Sequence, residues 1–190
     1  HAQLILPPGI THDATYPGGN ALGLGFPMGG LVFSPDGSIL YCGGNAASAA
    51  GFVGALPVIR NPVTNKITGF GQATVHTSAP NIDGGLDFHP NGTMFWATWP
   101  SHTIGQYTNA TGALSYPLTG TGIPATTGAL EFVPAGLPNA GDLLVASYSA
   151  GSLYTLPLIP NGNGTFTPGT ATLFAALPGG TEGFRHIPSG

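Results

Sequence analysis

The chain has 190 residues, enough for one domain with a sizeable core, yet only 5% are Asp, Glu, Lys or Arg, where an ordinary soluble domain carries about 25%. Three basic residues against seven acidic ones exclude a surface that could displace counterions from a phosphate backbone, so no nucleic-acid partner is expected. No apolar run approaches the ~18 residues of a membrane span and no basic amphipathic helix is visible, so no membrane insertion is expected either. Gly (32) and Pro (19) fill more than a quarter of the chain, while 42% of residues are hydrophobic. Turns joining the strands of a real core, and hence an all-β fold, account for both figures.

In chain order the predicted elements are strands and turns. His1 to Pro8 reads as a lone strand and Thr11 to Gly19 as a loop. Leu31-Val-Phe33 is a short apolar strand closed by Ser34-Pro-Asp-Gly37, in which Pro presets one turn φ and Gly accepts a positive one. Ile39 to Cys42 is the second strand of that hairpin, and Gln72 to His76 a later one. Leu86-Asp-Phe88 and His89-Pro-Asn-Gly92 repeat the strand and turn, followed by strands at Met94 to Trp99, Thr103 to Tyr107 and Ala113 to Tyr116. Leu130-Glu-Phe132 and Val133-Pro-Ala-Gly136 repeat them again, followed by Leu143 to Tyr148, Ser152 to Leu156 and Ala171 to Phe174. Phe184-Arg-His186 opens the pattern a fourth time and runs into Pro188-Ser-Gly190.

The starts at 31, 86, 130 and 184 leave spacings of 55, 44 and 54 residues, close to the ~40–50 residues of a four-stranded propeller blade with loop insertions. The expected fold is all-β: about three complete four-stranded β-propeller blades with a single strand at each end. The predicted divisions are 1–28 (last strand of a preceding blade plus loop), 29–83, 84–127 and 128–181 (blades), and 182–190 (first strand of a further blade). Leu31, Leu86, Leu130 and Phe184, with Phe33, Phe88 and Phe132, are expected to pack between blades, with Phe88→Ala costing about 3–5 kcal/mol.

Ser34-Pro-Asp-Gly-Ser-Ile-Leu-Tyr-Cys-Gly-Gly-Asn45 resembles the repeat of YVTN-type propellers, in which Ser-Pro-Asp-Gly and a short linker precede Tyr-Val-Thr-Asn. Tyr41 and Asn45 match that tetrad with one extra residue between them, and the resemblance spans residues 29 to 190. It implies an exported or surface-attached propeller, a secreted or cell-surface location, and a family in which most members have no established chemistry. The opening His1-Ala2-Gln3, without Met, suits a chain from which a signal peptide or expression scar has been removed.

The candidates for chemistry are few. Asp87, Glu131 and Arg185 share one repeat position and line the central channel as a ring on one reading. On the other they are scattered solvent-facing or inter-blade residues with a salt link. Glu182-Gly183-Phe184 resembles the Glu-Gly start of a strand that supplies one metal ligand in gluconolactonase-type propellers. Gly29, Gly84 and Gly128 stand at the equivalent positions, so the rest of such a ligand set is not visible. Asp87, Glu131, Glu182 and Arg185 are therefore the binding candidates; no catalytic and no metal-binding residue is assigned. No cofactor is expected, with calcium the one to consider, for instance at Asp13 beside His12.

His1, His12, His76, His89, His102 and His186 show no zinc-like spacing. Cys42, the single cysteine, lies in an apolar strand pattern where a buried, inert thiol is expected. Asn91-Gly-Thr93, Asn109-Ala-Thr111 and Asn163-Gly-Thr165 satisfy the glycosylation sequon or are simply turns. The functional expectation is a non-catalytic extracellular propeller acting as a structural, self-assembling or binding module; the alternative is a channel-sited lyase, lactonase or other hydrolase, metal-dependent or not. Incomplete end blades imply that the partners are further blades of a longer chain or other copies of itself, because open sheet edges invite pairing and only Arg60, Lys66 and Arg185 are available to guard them.

Overall fold

The computed structural model describes residues 16, 20–25, 27–125, 127–177 and 179–186. The predicted strand at His1 to Pro8, the loop with His12 and Asp13, and the turn at Pro188 to Gly190 lie outside the described residues. The described residues contain fifteen strands and no helix.

Three antiparallel sheets, one of five strands and two of four, follow one another along the chain. In the first, β1 (Leu31–Phe33), β2 (Ile39–Gly44) and β3 (Phe52–Arg60) are joined by β5 (Thr74–Ser78), and the far half of β3 also pairs with β4 (Ile67–Phe70). The second runs β6 (Ile82–Phe88), β7 (Met94–Thr98), β8 (Thr103–Thr108), β9 (Gly112–Pro117). The third runs β10 (Thr127–Phe132), β11 (Leu143–Ser147), β12 (Ser152–Leu156), β15 (Thr172–Ala176). A separate hairpin of β13 (Leu158–Pro160) and β14 (Phe166–Pro168) is inserted before β15. β3, β4 and the β13–β14 hairpin have no counterpart among the predicted strands.

The repeated turns behave as their residues dictate. Gly37, Gly92 and Gly136 adopt φ of 67°, 90° and 88°, where a Cβ would be strained. Asp36 ties the first turn: its carboxylate accepts from the Ser34 hydroxyl at 2.6 Å and the Ser38 backbone N–H at 3.0 Å. These bonds, that of Ser34 foremost, hold its carboxyl down from the ordinary 3.8 to about 2. A lowered folded-state value means that the contribution is fully present above about pH 4 and lost as pH falls towards 2. Asp36→Ala is thus expected to lower the thermal midpoint at neutral pH, with the gap from the parent closing between those pH values. Parallel midpoint curves down to the lowest pH would show that the turn does not use the ionised carboxylate. Asn91 and Asn163 also close turns, accepting from the N–H groups of Thr93 (3.0 Å) and Thr165 (3.1 Å).

Apolar clusters lie at the seams between sheets. Val32, Val53, Leu86, Met94 and Trp96 fill the first seam, with Phe88 half-buried against them. Phe95, Ile104, Leu130, Phe132, Val145 and Phe166 fill the second. The inserted hairpin strengthens this second seam. The buried Gln106 side chain donates to Phe166 O at 2.7 Å and accepts from Phe166 N at 2.9 Å, and the Thr93 hydroxyl donates to Gly164 O at 2.6 Å.

Two packing expectations are corrected. Leu86 and Leu130 are each 3% exposed, as expected of residues between sheets, but Leu31 is 60% and Phe33 40% exposed. In each first strand this apolar pair faces the preceding sheet, and among the described residues no sheet precedes β1; there Leu22 and Leu24 cover its neighbours Leu40, Cys42 and Leu56. Phe88 and Phe184 are half-buried, whereas Phe95 is fully buried, so the larger phenylalanine contribution belongs to Phe95 rather than Phe88.

Candidate functional site

The sheets meet along their first strands. Gly30 N–H donates to Asp83 O at 2.7 Å between the first and second sheets. Between the second and third, Asp87 Oδ2 accepts from Phe132 N at 2.9 Å while its Oδ1 accepts from Phe88 N at 2.9 Å. One unit further on, both carboxylate oxygens of Glu131 accept from His186 N, at 3.1 and 3.0 Å. The rule repeats: a carboxylate on one first strand satisfies a backbone N–H one repeat position further along the next. Val32 occupies that position in the first sheet, and Asp87 covers the N–H of Phe88 with its own second oxygen.

Arg185 joins the two carboxylates, with Nη1 3.9 Å from Asp87 Oδ2 and Nε 3.4 Å from Glu131 Oε1. Burial raises the Asp87 carboxyl above the usual range, outweighing the two N–H donors and the guanidinium that pull it down. His186 Nδ1 lies 3.0 Å from Glu131 Oε2 but off the line that a hydrogen bond needs. Asp87, Glu131 and Arg185 are thus brought together at the seams, where they clamp backbone. Beside them β1, β6, β10 and the non-strand residues 183–185 line an open cavity of about 450 Å³, whose walls include Gly29, Gly30, Gly84, Gly85, Leu86 and Leu130.

Glu182, the fourth candidate, stands apart from this cluster. It lines a cleft of about 340 Å³ with Ala47, Asp83, Trp99, Thr127, Gly128 and Tyr148. Burial, and then the negative charge of Glu182, raise the Asp83 carboxyl above its usual range. Thr127 is 1% exposed and its hydroxyl has no hydrogen-bond partner. Trp99 and Tyr148 are 45% and 48% exposed, a pair of open aromatic surfaces beside two carboxylates. Asp83, Thr127, Trp99 and Tyr148 were missed by sequence reasoning, although the repeat contains the signal. Asp83 and Thr127 each stand three residues before the first-strand leucine, and Trp99 and Tyr148 each close the second strand.

The remaining candidates are dispersed. His76 packs between Tyr41 and Tyr107 with ring centroids 4.9 Å from each, and burial lowers its pKa. His89 accompanies Asn91, and His102 meets Ile123 O at 2.9 Å. Among the described residues no three His, Cys, Asp or Glu side chains are grouped to hold a metal. Cys42 is buried, and burial pushes its thiol up to about 11, far from the thiolate that reactivity requires.

These features define the class: an all-β repeat protein with carboxylate-clamped seams and an aromatic, acidic cleft where its first strands begin. No protein-family model, curated protein or solved structure matches the chain.

Proposed function

We propose that the three sheets are blades of a β-propeller resembling the YVTN type, in an exported or cell-surface protein, and that the chain is a non-catalytic structural and binding module that associates through its blade faces. One observation carries the reading: Leu31 and Phe33 are open at 60% and 40% although their repeat equivalents Leu86 and Phe132 are 3% and 5% exposed. A leucine covered in both following sheets (Leu86 and Leu130), beside a phenylalanine half-buried in the second and buried in the third, calls for a further sheet of the same repeat, from a longer chain or from a second copy. The second face fits the reading too, since residues 184–186 lie on the third sheet as β10 lies on the second. The carboxylates of Asp87 and Glu131 are engaged with backbone N–H groups, which supports a structural rather than a catalytic role for them.

Sedimentation tests this. The 190-residue chain is expected to associate with rising concentration, and Leu31→Glu combined with Phe33→Glu to shift it towards the 19.0 kDa monomer. Both positions face solvent in the single chain, so circular dichroism should be unchanged. A parent chain that stays a 19.0 kDa monomer at every concentration would overturn the assembly reading. Turnover of a lactone that vanished in Glu182→Gln would replace the binding module with a hydrolase.

A further inference from the structure

We infer that the cleft between Asp83, Glu182, Thr127, Trp99 and Tyr148 is a binding site for a primary ammonium group carried on an aliphatic stem. It uses residues other than the Leu31–Phe33 face, so it stands or falls independently of the assembly reading.

The lining fixes the sign of the ligand. Two acidic residues, Asp83 and Glu182, line the cleft close enough for the charge of one to act on the other, and no Lys, Arg or His is among its described lining residues. Asp83 has no hydrogen-bond donor to its carboxylate among the described residues, and it feels Glu182 as a like charge. No cationic side chain among the described lining residues offsets the two negative charges, and a bound cation would.

The polar inventory fixes the head group. A primary ammonium carries three N–H donors and accepts nothing. Asp83, Glu182 and the Thr127 hydroxyl are acceptors, and that hydroxyl is buried without a partner in the chain itself. An unsatisfied buried hydroxyl costs free energy that a ligand N–H would recover. A bare calcium ion is a poorer occupant, because it takes about 6–8 oxygen ligands and much of this lining is aromatic.

The aromatic rings fix the stem. Trp99 and Tyr148 each follow directly on the second strand in consecutive sheets, and both line the cleft while remaining exposed. Such rings hold methylene groups by apolar contact and attract a cation over their faces, Trp most strongly.

The test is titration of the full chain with n-butylammonium chloride at neutral pH, read by calorimetry and by tryptophan fluorescence. Trp96 is only 2% exposed, so a saturable fluorescence change reports Trp99. Saturable one-site binding is expected, with n-butanol at least ten-fold weaker. Asp83→Asn combined with Glu182→Gln is expected to weaken binding at least ten-fold, and Trp99→Leu several-fold with Trp99→Phe largely retaining it. Thermal midpoints show whether these variants are folded; should Trp99→Leu fail to fold, the comparison of n-butylammonium with n-butanol still decides. Nα-acetyl-lysine amide separates the sources: binding as tight as n-butylammonium indicates a lysine side chain, and exclusion of it a free amine, either supporting the site. Absence of saturable n-butylammonium binding overturns the proposal, as do equal affinity for n-butanol, unchanged affinity in the double variant, and calcium binding in place of the ammonium.

Discussion

Phe95→Ala is expected to lower the free energy of unfolding by about 3–5 kcal/mol, the usual cost of emptying a fully buried phenylalanine site. Phe95 is 0% exposed and sits where three elements meet. It meets Phe132 of β10 edge-on at 5.1 Å and 80°, and Phe166 of the inserted hairpin at 6.0 Å. The cavity would be walled on one side by the β7 strand itself and on the others by the third sheet and its hairpin. Sheet backbones cannot collapse inward without breaking their ladders, so little of the lost contact is recovered. Urea denaturation should show a lower midpoint at unchanged slope. A loss under about 1 kcal/mol would mean that the second and third sheets do not pack on this face. Phe88→Ala should cost less, because that side chain is only partly buried.

Much of the fold is legible in the sequence because one signal repeats. Pro-Asp-Gly, Pro-Asn-Gly and Pro-Ala-Gly each place a glycine where φ must be positive, and the apolar run beyond each turn must then be the hairpin partner. That logic locates β1, β2, β6, β7, β10 and β11. The third strand of the first sheet is not legible: Phe52-Val-Gly-Ala-Leu-Pro-Val-Ile-Arg60 contains a glycine and a proline, which argue against a strand interior. Pro57 is tolerated because β3 exchanges partners around it, from β5 over Phe52–Ala55 to β4 over Val58–Arg60. The β13–β14 hairpin is hidden for a related reason, since the groups that hold it include Gln106, sixty residues from Phe166 in sequence, and Thr93, seventy-one from Gly164. No local pattern marks such a partner.

The candidate site was half legible. Shared repeat position brought out Asp87, Glu131 and Arg185, and the fold does gather them. Position alone cannot say that these carboxylates are spent on the N–H groups of Phe132 and His186, which depends on how closely consecutive first strands approach. Position grouped Glu182 with channel candidates, whereas it lines the neighbouring cleft with Asp83.

That close approach makes the sign of one substitution diagnostic. A glycine outside the left-handed region gains about 0.4–1 kcal/mol on replacement by alanine when the new methyl has room, because the unfolded chain loses freedom. Gly69 in β4 is such a site, with only Ile59 Cδ1 at 3.9 Å from where its Cβ would lie. Gly84 in β6 is not. There a Cβ would overlap the carbonyl oxygen of Gly128 in β10 and lie 2.6 Å from that of Glu182. Both obstacles are backbone, so no rotamer change relieves them, and the second sheet must move off the third. The movement would also lengthen the bond from Phe132 N to Asp87, now 2.9 Å, and leave a buried N–H poorly satisfied. Overpacking costs about 1–3 kcal/mol and a weakened buried hydrogen bond about 1 kcal/mol more. Gly84→Ala is therefore expected to destabilise by about 3 kcal/mol while Gly69→Ala stabilises slightly, both read from denaturation midpoints. A Gly84→Ala protein as stable as its parent would show that the first strands of the second and third sheets do not converge at Gly84 and Gly128, and the packing of carboxylate clamp and cleft around that point would fall with it.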